Sequence, residues 1–211
     1  FIIVPYLGIL TILAIFGLHR YHLVYLYLKN KDKVAKPKGI LSKLPRVTVQ
    51  LPVYNEMYVV ERLVEAACEI RYPRELLQIQ VLDDSTDGTT AISEAAVARK
   101  RAEGYDISLL HRTNREGFKA GALENGLKSA TGEFIAIFDA DFLPATNFLE
   151  DVIHYFSDSE VGMIQARWGH INREYSLLTQ VESVILDGHF IRSEEHTSEL
   201  QSHHDLVCRL L

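Results

Sequence analysis

The chain has 211 residues, enough for one ordinary domain plus an attachment but not for two full domains. A charged share of 24% and a hydrophobic share of 47% argue against a disordered chain, a collagen or a polytopic membrane bundle. The net charge of -6 argues against a nucleic-acid partner held by phosphate neutralisation, and none is expected. That total conceals a split: residues 1–46 carry eight Lys or Arg against one Asp, a balance of +7, which leaves -13 for residues 47–211.

The basic head is apolar before it is basic. Phe1 to Leu18 contains no charge, and about 20 apolar residues are enough to cross a bilayer core. A soluble helix of that length keeps a polar face. A signal peptide places its basic residues ahead of the apolar run, whereas here the lysines follow it. Tyr21, Tyr25 and Tyr27, with His19, Arg20 and His22, suit a membrane interface, where amphipathic side chains keep one end wet. The span is therefore expected to end near His19–Arg20 and to continue along the surface, giving a transmembrane and interfacial helix over 1–28. A basic linker follows over 29–46, with Lys29, Lys31, Lys33, Lys36 and Lys38 as its positive flank. The positive-inside rule puts that flank, and everything after it, on the cytoplasmic side of a cell (inner or plasma) membrane. The chain opens on Phe rather than Met, so a piece of a longer protein is expected.

From residue 47 the pattern alternates. VTVQLPV reads as a first strand, 59–70 as a helix, LQIQVLDDS as a second strand, and 87–103 as a helix ending at Gly104. ISLLHR is a third strand, 119–130 a helix, EFIAIFDADFLP a fourth strand, 147–156 a helix, and VGMIQARW a fifth strand. Strands alternating with helices predict right-handed βαβ units, hence an α/β domain with a mainly parallel sheet flanked by helices. Ligands in such sheets bind beyond the carboxyl ends of the strands, and the polar residues of interest sit there.

Three strand exits carry acids. The first holds Tyr54, Asn55 and Glu56, the second Asp83 and Asp84, the fourth Asp139 and Asp141. An apolar run that delivers two carboxylates is costly unless something cationic meets them. Asp-Ala-Asp lets both side chains approach one hard cation, Mg²⁺ or Mn²⁺, which completes its oxygen shell from phosphate and water. Capping of the following turns is the alternative for these acids, and it accounts for Ser85 and Asp87. Lys119 opens the third helix, where the dipole opposes a cation, so a bound anion explains it better than stability does. Arg112 and Arg115 make a weaker case as phosphate ligands. Neither GxxxxGK[ST] nor GxGxxG occurs, which argues against P-loop ATPases and dehydrogenases. The chemistry implied is a nucleoside diphosphate chelated by metal and touched by a cation.

PVYNE, QVLDDSTDGT, FKAGAL, IFDADFLP and QARW, in this order and spacing, resemble the family-2 processive glycosyltransferases. The resemblance is to the cellulose-synthase-like branch that includes glucomannan mannosyltransferases, and it runs from 47 to about 190. It implies a GT-A (nucleotide-diphospho-sugar transferase) fold preceded by a transmembrane helix, and inverting transfer of a hexose from a nucleotide-diphosphate sugar, of the GDP-mannose or UDP-glucose class, to a polysaccharide or glycan acceptor. By position it places Tyr54 and Glu56 at the nucleoside, Asp83 and Asp84 at the base or ribose, and Lys119 at the nucleotide or its phosphates. Asp139 and Asp141 become the metal and diphosphate pair. A lipid-phosphate (dolichyl or polyprenyl type) sugar transferase of the same fold, a nucleotidyltransferase, and a truncated donor-binding fragment without activity are the rival readings.

Gln165-Ala-Arg-Trp168 lacks one residue of the family's Q-x-x-R-W acceptor motif and follows the DxD too closely, so it reads as scaffold. An inverting transfer needs a general base to deprotonate the acceptor hydroxyl. The resemblance puts that base in a TED- or VED-like motif further on, and no catalytic base is assigned here. From 191 to 211 the resemblance stops, and RSEEHTSELQSHHDLVCRLL reads as a foreign, adapter-like tail. Its His196, His203, His204 and Cys208 fit no standard zinc spacing. Cys68, within a predicted helix, reads as a small buried hydrophobe.

Overall fold

The computed structural model describes residues 3–30, 36–166, 174–184, 201–202 and 206–209. Two compact units are present, Phe1–Lys36 with Gly169–Leu200, and Pro37–Trp168 with Gln201–Leu211.

In the first unit a single helix, α1, runs over Ile3–Asn30. Its segment Ile3–Leu26 is long and apolar enough to cross a membrane, about 36 Å at the helical rise. Ile3, Leu7, Ile12 and Phe16 are all more than half exposed, so nothing among the described residues buries this surface. The helix continues through His19 and Arg20 without interruption, as one helix over the expected 1–28. Leu26, Tyr25 and Leu28 are good enough apolar neighbours for helical hydrogen bonding to propagate, and cations within a helix carry no backbone penalty. Residues 177–184 form a further helical stretch of this unit.

In the second unit the chain alternates as predicted. The strands are β1 (Val47–Val53), β2 (Leu77–Asp83), β3 (Ile107–His111), β4 (Phe134–Ile137) and β5 (Met163–Ala166), followed by β6 (Gln201–Ser202) and β7 (Leu206–Arg209). Between them lie α2 (Val60–Cys68), α3 (Thr89–Ala102), α4 (Phe118–Leu127) and α5 (Phe148–Val152). The sheet order is β3-β2-β1-β4-β7-β5-β6. β1 pairs in parallel with β2 and β4, and β2 with β3, while β7 runs antiparallel between β4 and β5. The foreign-tail reading of 191–211 falls mostly outside the described residues, which there comprise only β6 and β7.

Register places Val53 opposite Asp83, and Asp83 opposite His111, so three strands end in one row. Helices cover both faces, which is why β1 and β2 are buried almost throughout. One face is apolar: Val49, Leu51, Ile79 and Val81 join Leu63, Val64 and Phe138 in the core. The other is polar, buried and hydrogen-bonded: Thr48 donates to Gln78, Gln50 to Gln80, and Gln80 to Ser129. α4 sits over that polar layer at Gly126, where a Cβ would lie 2.5 Å from the Gln50 amide nitrogen.

The expected linker 29–46 divides at Pro37, where the second unit begins. Lys38 pairs with Asp158 at 2.6 Å, the Gly39 amide donates to Ser157, and Tyr72 donates to the Pro45 carbonyl. Leu41 and Leu44 pack against the core. Cys68 is a buried free thiol, pushed up to about 11 by burial, and so is inert.

Candidate active site

A cleft of about 340 Å³ opens at the carboxyl ends of β1, β2 and β4. Its lining brings together Tyr54, Glu56, Asp84, Lys119, Asp139 and Asp141, six of the seven residues singled out from sequence. The seventh, Asp83, does not line it.

Successive side chains on a strand point to opposite sides, and this separates the two aspartates of β2's end. Asp83 is fully buried. One oxygen accepts the Ser85 amide at 3.0 Å; the other accepts the Thr90 hydroxyl at 2.6 Å and faces His111 Nδ1 at 2.9 Å. Burial alone would raise its pKa, but the hydrogen bonds from Ser85, Thr90 and His111 outweigh that and hold it below the ordinary carboxylate value. Asp84 instead faces the cleft and is gripped by Arg112, whose Nε and Nη2 donate to its two oxygens at 2.7 and 2.5 Å. Arg112 also donates to the carbonyls of Glu116 and Phe118. It is therefore a strut between Asp84 and the loop before α4, and its guanidinium is not turned to the cleft.

That loop is bent by two successive left-handed residues, Gly117 with φ 69° and Phe118 with φ 49°. Phe118 holds a conformation that L side chains rarely adopt, and the strut from Arg112 to its carbonyl helps to keep it there. The bend starts α4 so that Lys119 projects into the cleft, where its ammonium donates to Asp139. Arg115, in the same loop, lies over Tyr54, its guanidinium carbon 3.3 Å from the ring centroid. Sequence gave Arg115 only a weak claim on phosphate, and stacking on Tyr54 could not be read from spacing.

Asn55 joins the first two strand exits. Its left-handed φ of 55° lets its amide donate to the Ser85 hydroxyl and its side-chain oxygen accept the Thr86 amide, both at 2.9 Å. Ser85 thus serves this junction, while Asp87 accepts the Thr89 amide in a tight turn just ahead of α3, whose N-cap is Gly88. The fourth exit leaves β4 after Ile137, sooner than the twelve-residue apolar pattern implied; Phe138 then donates to the Gln50 carbonyl and a turn closes from Asp139 to Phe142. Asp139 and Asp141 emerge on either side of Ala140, which also faces the cleft.

Asp139 and Asp141 both line the cleft and offer carboxylate oxygens of the type a divalent cation takes. Among the described residues no group of three or more His, Cys, Asp or Glu side chains is gathered around one point. A hard cation here would draw its remaining oxygens from a phosphate-bearing ligand and water, which is the usual habit of Mg²⁺. The Gln165–Trp168 stretch contributes Gln165 and Ala166 to β5; Arg167 and Trp168 lie outside the described residues.

A mainly parallel sheet whose strand exits deliver carboxylates to one crevice, met there by a lysine from the start of α4, fits a GT-A, nucleotide-diphospho-sugar transferase fold. The comparisons with known proteins agree. The profile of Glycosyl transferase family 2 matches residues 48–207, and the chain belongs to that family. Probable glucomannan 4-beta-mannosyltransferase 7 of Oryza sativa subsp. japonica is 41% identical over 159 residues, 73% of this chain and 27% of the relative. Glucomannan 4-beta-mannosyltransferase 9 of Arabidopsis thaliana is 36% identical over 185 residues, 82% of this chain and 35% of the relative. These place the chain in the cellulose-synthase-like, glucomannan mannosyltransferase-like branch. It spans about a third of the length of these curated relatives. Among solved structures, mannosyltransferase PcManGT from Pyrobaculum calidifontis, in complex with GDP-Man and Mn2+, superposes with a TM-score of 0.67 at 28% identity, covering 93% of this chain and 55% of that one. TarS 1-349 of S. aureus in complex with UDP has a TM-score of 0.51 at 21% identity over 60% of this chain and 36% of that chain, and shares the fold.

Proposed function

We propose that this chain carries the donor-binding half of a membrane-anchored hexosyltransferase, which moves a sugar from a nucleotide-diphosphate donor onto a growing β-polysaccharide with inversion at the anomeric carbon. One observation supports this above the others: six side chains from three strand exits and the start of α4 line one cleft at the ends of parallel strands. The mannosyltransferase names of the relatives, and GDP-Man with Mn2+ in one structural neighbour, favour a GDP-mannose-class donor.

The residues divide the work as follows. Tyr54, its ring pinned by Arg115, offers an aromatic surface to the nucleoside. Glu56 and Asp84 offer acceptors to base or ribose hydroxyls, with Asp84 held in one orientation by Arg112. Asp83 acts as a positioning residue that fixes the Ser85 amide and Thr90 beneath the same loop. Lys119 and Arg115 supply positive charge to the diphosphate. Asp139 and Asp141 hold Mg²⁺ or Mn²⁺, which when bound would neutralise the departing diphosphate. The base that deprotonates the acceptor belongs, by the family resemblance, to a motif that residues 1–211 do not contain. α1 anchors the body to the membrane, with its lysine flank on the cytoplasmic face.

Isothermal titration of the chain with GDP and with UDP, each with Mn²⁺, tests this reading. Saturable binding with GDP preferred is expected. No binding of either nucleotide up to about millimolar concentration, the weak end of ligand recognition, would overturn it.

A further inference from the structure

The cleft is lined by four carboxylates, Glu56, Asp84, Asp139 and Asp141, and by two cations, Arg115 and Lys119. Both cations already have partners within the protein. Arg115 lies on the Tyr54 ring, and the Lys119 ammonium donates to an Asp139 oxygen. Asp84 is neutralised from behind by Arg112. Of the two acids fitted for a metal, only Asp141 is without an ion-pair partner among the described residues.

A divalent cation arriving alone therefore meets one open carboxylate and one that a lysine already neutralises. The Lys119–Asp139 pair is half open to water, with side-chain exposures of 52% and 31%. A pair so placed holds weakly and can exchange. A diphosphate changes the balance from both sides: it brings oxygens to complete a metal shell, and it gives Lys119 another anion to bind.

We infer that Lys119 is an exchange partner: it occupies Asp139 in the donor-free cleft and transfers to the donor's diphosphate when the metal takes Asp139. No bond to carbon or phosphorus is made or broken in this step; one ion pair is traded for another. The inference rests on the reading of the cleft as a donor site. Its consequence is that metal and nucleotide assist one another, to the same degree in each direction because coupling between two ligands is reciprocal. A lysine that served phosphate alone would help the nucleotide and leave the bare metal untouched. A lysine that exchanges hinders the bare metal.

The test is a titration of the full chain with Mn²⁺, reading free Mn²⁺ by electron paramagnetic resonance, with and without GDP. Lys119→Met is expected to bind Mn²⁺ alone roughly two- to fivefold more tightly than the unmodified chain, the range for releasing one exposed ion pair. The same variant should bind GDP with Mn²⁺ more weakly, and GDP should raise its Mn²⁺ affinity by a smaller factor. Arg115→Met removes a cleft cation that does not touch Asp139, and should leave the affinity for bare Mn²⁺ unchanged. Equal or weaker Mn²⁺ binding by Lys119→Met overturns the exchange, as does an equal gain in Arg115→Met, which would reduce the effect to general charge. If the unmodified chain binds GDP with Mn²⁺ through Asp141 and Lys119→Met still leaves bare Mn²⁺ unaffected, the exchange alone fails. If the unmodified chain binds no GDP at all, the donor-site reading fails and the exchange with it.

Discussion

Asp84 reaches the cleft with both carboxylate oxygens bound to Arg112, and the pair is mostly shielded, with side-chain exposures of 5% and 12%. Removing the guanidinium strands a desolvated carboxylate and frees the loop carbonyls of Glu116 and Phe118. Arg112→Leu is expected to cost about 2–3 kcal/mol of stability, below the full penalty for a deeply buried pair. Urea melts of the two proteins check this; an unchanged midpoint contradicts it. Asp83 makes a second prediction. Its pKa in the folded chain lies below its unfolded value of about 3.9. A depressed carboxylate contributes stability that is fully present above the unfolded value and is lost as pH falls through the folded one. The unfolding free energy should therefore decline below about pH 4, and Asp83→Asn should both lower it at neutral pH and flatten that decline. Chemical denaturation at a series of pH values reads both, and an unaltered slope in the variant rules out the assignment. Neighbouring aspartates of identical type are told apart only by the side of the strand each occupies. Pairing register decides that, and no motif spells it out.

At the scale of elements, the parallel alternation was legible because apolar runs, glycine stops and acidic strand exits recur in order. The polar layer under α4 was not. Gln50, Gln78 and Gln80 look like the wet face of a strand, yet Gln50 and Gln80 are fully buried, because α4 covers them and their amides pair with one another and with Ser129. Arg112 misled for a related reason: beside the Lys119 loop it reads as a phosphate ligand, until the fold brings Asp84 against it from a strand 28 residues away. α1 was legible as well: one helix over 1–28 was expected, and it runs over Ile3–Asn30. α4 carries the testable consequence. An added methyl at Gly126 would press on the Gln50 amide at 2.5 Å and on Leu82 at 2.9 Å. Gly126→Ala should cost about 1–3 kcal/mol, as overpacking does. It should also weaken nucleotide binding, because the helix it displaces carries Lys119. Full affinity in a destabilised variant would show that the helix position does not govern the cleft.

For the whole molecule, the charge total of -6 separates into a basic head and an acidic body. α1 presents its apolar surface outward over Ile3–Leu26, whereas the second unit buries its own. The chain is expected to stay with membranes through alkaline carbonate washing; release into the supernatant contradicts the anchor. The central claim concerns the cleft, and the most direct measurement is the Mn²⁺ dependence of GDP binding in the unmodified chain and in Asp141→Ala. Asp141 is exposed and makes no ion pair among the described residues, so the substitution should leave the fold intact. The unmodified chain should bind GDP at least about tenfold more tightly with Mn²⁺ than without, a difference of about 1.4 kcal/mol, and Asp141→Ala should lose that gain. A variant that keeps the full Mn²⁺ enhancement would contradict the account.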